Sequence, residues 1–145
     1  MDLIKSMKIS ASGLAANRKR IEAISSNIAN AQTTRTAEGG PYRRKEVVFG
    51  SEPARDKFAD ILEGEIDAKA ETVHVTEVIS SDKPPVLKYD PSHPDANKDG
   101  YVAMPDINVM KEMADMISAQ RAYEANISAI NTSKSMAMKA LEIGR

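Results

Sequence analysis

The two ends of this chain carry long, proline-free runs in which apolar residues recur at alternating spacings of four and three. Such a repeat places apolar side chains along one face of a helix, and that face has to pack against another surface. The runs predict one helix over residues 3–31 and a second over residues 106–143, entered after Pro105 and capped by Asp106 or Asn108. At about 1.5 Å per residue the second helix would exceed about 50 Å in length. The ends therefore dominate what the chain can fold into.

The repeat defines a predicted seam on each helix. Asn17 and Gln120 are its polar members, and a polar seam residue can fix the register of a helix pair at some cost in stability. We predict these seam residues to form the helix-pair and subunit interface: Leu3, Met7, Leu14, Asn17, Ile21, Ile24 and Ile28 on the first helix, and Val109, Met113, Met116, Gln120, Tyr123, Ile127, Ile130 and Leu141 on the second.

Small residues are dense in the first helix, and Gly13 lies among them beside Ser12. Glycine inside a helix costs about 1 kcal/mol relative to alanine. A helix that accepts this cost is expected to have a neighbouring helix packed very close. We therefore predict that Ser12 and Gly13 allow a close helix–helix approach.

The apolar surface of the second helix is wider than one partner helix needs. Two interpretations follow. The helices form an antiparallel pair within one monomer, or they form a pair whose outer faces meet other subunits. The extra width favours the second interpretation. It comes from six apolar residues outside the seam: Ile107, Met110, Ile117, Met136, Met138 and Ile143.

The centre of the chain, residues 35–104, holds five of the seven glycines and six of the seven prolines. Short strands are predicted at 46–49, 72–79 and 86–89, with a loop over 91–100 and a short helix over 55–63. The predicted fold class is therefore α+β, with the long terminal helices paired as a coiled-coil-like hairpin around a small antiparallel β unit. The predicted domains are 1–34 plus 105–145 for the helices and 35–104 for the β-rich middle.

Composition argues against most catalytic and ligand-binding classes. The chain has no cysteine, so it can form neither a disulfide framework nor a thiolate metal site. It has no glycine-rich phosphate loop and no nucleophilic serine motif. Its net charge of −1 gives no general reason to expect nucleic acid as a partner. We expect no enzyme activity, no cofactor and no small-molecule substrate.

No apolar run approaches the roughly 18–20 residues that would span a bilayer. The amino-terminal segment carries charges at Asp2, Lys5 and Lys8, and no apolar core of about 7–15 residues follows. A cleavable secretory signal is therefore not expected.

One segment resembles a calcium-binding loop. Asp95, Asn97, Asp99 and Gly100 occupy the first, third, fifth and sixth positions of an EF-hand loop. Position 12 holds Asp106 instead of the usual glutamate, and prolines prevent an entering helix. Asparagine and aspartate beside glycine are also ordinary turn residues. Two alternatives stay open: a calcium-binding module using residues 95–106, and a stand-alone helical regulator that acts through a partner helix.

Two long blocks carry a family resemblance. Residues 10–36, SASGLAANRKRIEAISSNIANAQTTRT, resemble the amino-terminal signature of the bacterial flagellar axial proteins, the rod and hook family. Residues 112–136, EMADMISAQRAYEANISAINTSKSM, resemble the carboxyl-terminal motif of the same family. Within it, the segments 32–49 and 89–109 are most similar to the proximal rod proteins, with another rod or hook paralogue as the alternative.

The resemblance implies a structural role and a location. Terminal helices of this family form the inner tube of the axial structure, and the middle domain faces outward. The expected partners are further copies of the chain, other rod proteins, the hook-basal body protein at the rod base, and the flagellar type III export apparatus. The chain is then expected in the periplasmic rod of the basal body, exported without a cleaved signal, where it transmits motor torque.

Overall fold

The structure is a computed structural model that describes residues 3–53 and 71–143. Helix α1 spans Leu3–Ala29 and helix α2 spans Val109–Ile143, with four strands between them. These are β1 (Lys45–Pro53), β2 (Glu71–Ser80), β3 (Val86–Tyr89) and β4 (Tyr101–Met104). The α+β prediction, with two long terminal helices around a small antiparallel β region, is confirmed. The short helix predicted over 55–63 lies outside the described residues.

Both helices have an identifiable backbone boundary. At the end of α1 the backbone hydrogen bonds change from the four-residue spacing of an α-helix to a three-residue spacing, because Ala31 N donates to Ile28 O at 3.3 Å. The helix therefore stops two residues before the predicted position. Asn108 caps α2, because its Oδ1 accepts from Lys111 N at 3.2 Å and its carbonyl accepts from Glu112 N at 3.0 Å. Of the two predicted caps, Asn108 is the one used.

The strands form two separate two-stranded sheets, β1–β2 and β3–β4. Near one end of the first, Ser81 N donates to Arg44 O at 2.8 Å, and near the other Thr72 Oγ1 donates to Glu52 O at 3.2 Å. These crossed pairings make β1 and β2 antiparallel. In the second sheet β3 and β4 are antiparallel. Strand β4 was not predicted, because its four residues directly follow the turn residues of the 91–100 loop and directly precede Pro105.

The chain divides into two compact units, each with stretches of both helices and of the β region. The first unit contains the described residues of 1–19, 49–76 and 119–145, and the second contains 20–48 and 77–118. Since these units cut across the helices, the predicted division into 1–34 plus 105–145 and 35–104 stays a prediction.

The core of the first unit consists of small residues, and that of the second combines apolar and polar residues. The buried residues of the first unit are Ser10, Ala16, Ala119 and Ser133; those of the second are Ala23, Ile24, Asn27, Val102, Pro105 and Glu112. Among the described helices, neither is long and apolar enough to cross a membrane.

Candidate assembly surface

Two rows of side chains on helix α2 are covered by the rest of the chain, and each row has a seven-residue repeat. One row is apolar, and the other consists only of small or polar residues. Every member is buried or half-buried in the chain. Two contacts show that the small and polar row lies towards α1: Glu112 bonds Asn27 in the second unit, and Asn126 lies beside Gly13 in the first. The apolar row is Met116, Tyr123, Ile130 and Ala137; the other row, named here the inner polar row, is Glu112, Ala119, Asn126 and Ser133.

This arrangement differs from the seam predicted for α2. Met116, Tyr123 and Ile130 are half-buried, as a helix-pair seam requires. The remaining predicted members are exposed, so within the chain they do not form the seam with α1. Their place in an interface between subunits stays a prediction. These exposed members are Val109, Met113, Gln120, Ile127 and Leu141.

The predicted seam of α1 fits the chain more closely. Ile24 is buried, and the other members are half-buried: Leu3, Met7, Leu14, Asn17, Ile21 and Ile28. Asn17 donates from Nδ2 to Gly13 O at 3.0 Å, within its own helix. Its described hydrogen bond therefore does not join α1 to another element.

Gly13 lies close against α2 within the first unit. A Cβ atom at position 13 would stand 3.1 Å from both Nδ2 and Oδ1 of Asn126. Ser12 contacts a strand instead: its Oγ accepts from Val73 N of β2 at 3.1 Å and donates to Ile9 O at 2.7 Å. The two neighbouring small residues thus contact different elements: Gly13 lies against α2, and Ser12 is hydrogen-bonded to β2.

Asn27 is the centre of a hydrogen-bond network in the second unit, and only 1% of it is exposed. Its Nδ2 donates to Lys45 O at 2.9 Å and to Glu112 Oε2 at 3.1 Å. Its Oδ1 accepts from Lys45 N at 2.8 Å and from Tyr42 Oη at 3.1 Å. The hydroxyl of Tyr42 also shares a hydrogen bond with Ser26 Oγ at 3.0 Å. One amide side chain thereby ties α1 to the start of β1 and to α2.

Glu112 supplies the charge of this network, and it too is 1% exposed. Arg44 Nε donates to Glu112 Oε1 at 2.7 Å, and the same guanidinium pairs with Glu46. Burial lowers the pKa of Arg44, but its hydrogen bond and charge attraction to Glu112, with help from Glu46 and Asp115, raise it above the ordinary value. The arginine therefore stays charged opposite the buried carboxylate. We call Asn27, Arg44 and Glu112 the buried hub.

A flank of α2 beside the two buried rows presents apolar side chains to solvent. Positions 110, 113, 117, 120, 124, 127, 131, 134, 138 and 141 again alternate three and four residues apart, so they follow one face of the helix. Apolar residues occupy both ends of this face and its middle. We call these six residues the outer stripe, with their exposed fractions: Met110 (77%), Met113 (50%), Ile117 (53%), Ile127 (39%), Met138 (54%) and Leu141 (74%).

The comparisons with known proteins agree with these helices. A family model described as "Flagella basal body rod protein" matches residues 7–35, which include most of α1. A second, described as "Flagellar basal body rod FlgEFG protein C-terminal", matches residues 98–143, which include β4 and α2.

Full-length relatives decide the family. The chain is 44% identical to "Flagellar basal-body rod protein FlgC" of Borreliella burgdorferi, an alignment covering 99% of this chain and 98% of the relative. It is 42% identical to the protein of that name in Bacillus subtilis and 40% identical to the one in Salmonella typhimurium, with complete coverage of both chains. The chain belongs to the FlgC family of flagellar basal-body rod proteins.

In this FlgC-family chain the calcium-like segment is a tightly bonded turn between β3 and β4. Asn97 Oδ1 accepts from Asp99 N at 3.0 Å and from Tyr101 N at 2.8 Å, and Asp95 Oδ2 accepts from Thr34 Oγ1 at 2.8 Å. Within 3–53 and 71–143, no three His, Cys, Asp or Glu residues cluster as a metal site. The Asn97 amide oxygen thus holds the turn together, and the Asp95 carboxylate ties it to Thr34 after α1.

Glycine is needed at the end of that turn. Gly100 has a φ of +80°, and a Cβ atom there would stand 2.9 Å from the ring of Tyr89. The rings of Tyr89 and Tyr101 meet edge to face, with centroids 5.3 Å apart. The sequence segment that is most similar to proximal rod proteins thus folds into a compact hairpin.

Proposed function

We propose that this flagellar basal-body rod protein is a structural subunit of the proximal rod. It assembles with further copies of itself and with other rod proteins, and its terminal helices form the contacts. The names of its full-length relatives support the rod assignment. The outer stripe of α2 is the observation that carries the assembly mechanism.

The argument starts from how α2 uses its two faces. The inner polar row places small or polar residues towards α1, so this row buries little apolar surface of α2 within the chain. The residues of the outer stripe are distributed over about nine turns of helix. Several large apolar side chains left exposed along one helix face favour a protein interaction site. Methionine at three of its six positions suits an irregular contact between subunits, because its side chain is flexible and polarizable.

The close packing within the chain suits a subunit that bears mechanical load. Gly13 brings the backbone of α1 close to Asn126, and the buried hub ties α1, the start of β1 and α2 together by directional bonds. Such contacts resist sliding of one helix along the other better than apolar contacts, which have no preferred direction. We propose that the subunit transmits torque through this helix pair.

The proposed location and export route rest on the family. The chain acts in the rod where it crosses the periplasm, reaches that place through the flagellar type III export apparatus, and retains its amino-terminal segment. The remaining proposed partner is the hook-basal body protein at the rod base.

Purified basal bodies test the proposal. In the bacterium that encodes this chain, the gene is deleted and then restored with or without a carboxyl-terminal epitope tag. We expect cells without the gene to be non-motile and to lack complete rods in electron micrographs, and the tagged chain to co-purify with detergent-washed basal bodies. Complete rods in the deleted strain, or a chain found only outside the basal bodies of motile cells, would overturn the proposal.

A further inference from the structure

Helix α2 carries two faces that could each pack against α1. The observed face combines the apolar row Met116, Tyr123, Ile130 and Ala137 with the inner polar row. The alternative face combines the same apolar row with the residues that follow the inner polar row by one position, Met113, Gln120, Ile127 and Lys134, and with Leu141 one seven-residue repeat further on. Because the two faces share a row, rotation of the helix about its own axis interconverts them.

Apolar burial alone favours the alternative face. It would cover Met113, Ile127 and Leu141, which are 50%, 39% and 74% exposed, together with the polar Gln120 and Lys134, and it would return Glu112 and Asn126 to water. Burying apolar surface stabilises a fold in proportion to area, whereas burying a carboxylate is unfavourable unless it is paired. Something other than hydrophobicity therefore selects the observed face.

We propose that the buried hub is this selecting element, and that Glu112 is the residue that positions α2. Its carboxylate accepts from Asn27 Nδ2 on α1 at 3.1 Å and from Arg44 Nε, next to β1, at 2.7 Å. Both donors are themselves held, since Asn27 is bonded to both backbone groups of Lys45 and Arg44 also pairs with Glu46. Rotation to the alternative face would break both bonds to Glu112 at once.

Neighbouring charges act in the same direction. Arg20 NH2 of α1 lies 3.9 Å from Asp115 Oδ1, one turn along α2 from Glu112. Two acidic residues on α2 thus meet cations from other elements of the same unit. A buried polar group that selects one arrangement over a more apolar competitor is well attested in coiled coils.

The consequence concerns the outer stripe. With Glu112 facing inward, Met113, Ile127 and Leu141 stay exposed beside the helix pair and are available to neighbouring subunits. This consequence rests on the proposed function, but the orientation of α2 does not, and the two are tested separately.

Thiol labelling of the purified full-length chain measures the orientation directly, because the protein has no cysteine of its own. One variant carries A119C and another Q120C, at neighbouring buried and exposed positions. In the parent chain we expect a maleimide to react with the thiol at position 120 about tenfold faster than with the thiol at position 119, or more. In an E112L background this ratio is expected to fall to about one or to reverse. The exposed Glu124 provides the matched control, and E124L should keep the parent ratio.

A folded E112L chain that keeps the parent labelling ratio would overturn the proposal, because α2 would then keep its orientation without Glu112. If E112L loses its helical circular dichroism, R44M is measured instead. It leaves the buried carboxylate without its cation, so we expect faster labelling of the A119C thiol, and the neutral pair R44M/E112Q should restore its protection. Protection of the A119C thiol that is unchanged in R44M would also contradict the proposal. None of these readouts requires assembly, so failure of the proposed function in basal bodies would be seen independently.

Discussion

The side-chain amide of Asn27 lies 3.1 Å from Oε2 of Glu112, joining two residues 85 positions apart in the chain, each 1% exposed. Around this bond, Asn27 makes further hydrogen bonds to both backbone groups of Lys45 and to the hydroxyl of Tyr42, and Glu112 receives a charged bond from Arg44. The second unit is therefore centred on a polar network, and the contact between its helices depends on directional bonds as well as on apolar packing.

Replacing Asn27 should destabilise the protein strongly. The substitution N27A leaves Glu112 with one fewer donor and both backbone groups of Lys45 without their partner. Unsatisfied buried groups cost about 1–3 kcal/mol each, so we expect the free energy of unfolding to fall by about 2–3 kcal/mol. Urea denaturation followed by circular dichroism measures the change.

The control for this prediction is N17A on the same helix. Asn17 donates only to the carbonyl of Gly13 in its own helix among its described hydrogen bonds, so its loss should change the free energy of unfolding by no more than about 0.5 kcal/mol. Equal effects of N27A and N17A would show that the network contributes nothing beyond ordinary helix polarity.

Gly13 should resist replacement only because Asn126 lies against it. Alanine favours a helix by about 1 kcal/mol over glycine, but a Cβ atom here would stand 3.1 Å from the Asn126 amide. We expect G13A to leave stability unchanged or to lower it by up to about 2 kcal/mol, through crowding.

A double-mutant cycle separates the two effects. In an N126A background the crowding is removed, so G13A should then stabilise the chain by about 0.5–1 kcal/mol relative to N126A alone. The same gain from G13A in both backgrounds would mean that the helices do not approach closely at this point.

Asp90, at the start of the β3–β4 turn, gives a prediction about pH. The hydrogen bond from Ser92 Oγ, at 2.7 Å, lowers the pKa of Asp90 below its ordinary value. Because the folded pKa is the lower one, the turn contact contributes above the ordinary pKa and is lost as pH falls through the lowered value. Asp90 is exposed to solvent, so we expect this loss to be local.

Carbon-13 NMR titration of the Asp90 carboxyl tests this directly. The substitution S92A should move the titration midpoint upward, towards the ordinary aspartate value, and S81A in the preceding loop should leave it in place. A midpoint that does not move in S92A would show that the hydroxyl of Ser92 is not the cause of the shift.

The sequence was most informative where periodicity is strong. The two long helices, the Asn108 cap and the strands β1, β2 and β3 follow from spacing, capping and β-branched residues, and the structure places them within a few positions of the prediction. The strand β4 was missed because Tyr101–Met104 is short and lies directly after turn residues. The turn itself looked like a calcium loop because the same aspartates and asparagines serve both purposes.

The orientation of α2 was harder to predict, for a physical reason. Apolar periodicity predicted a seam that includes Met116, Tyr123 and Ile130, which are half-buried in the chain, and Met113 and Ile127, which are exposed. The structure uses Glu112, Ala119, Asn126 and Ser133 instead, which carry little hydrophobic signal. Their regular spacing of seven was visible in the sequence. The long-range partners Asn27 and Arg44, which make burial of Glu112 favourable, were not.

Assembly of outer-stripe variants tests the central claim, that α2 turns its apolar face outward for contacts between subunits. Three of the exposed residues are replaced together in M113S/I127S/L141S, and the control K111S/R121S/E142S changes three exposed polar residues of the same helix that lie outside this face. For each purified chain, circular dichroism and urea denaturation report the fold, and quantitative immunoblotting of basal bodies reports incorporation. We predict that both variants keep the parent helix content, that the control enters rods at the parent level, and that the outer-stripe variant is absent from them. A folded outer-stripe variant that enters rods at the parent level would contradict the account.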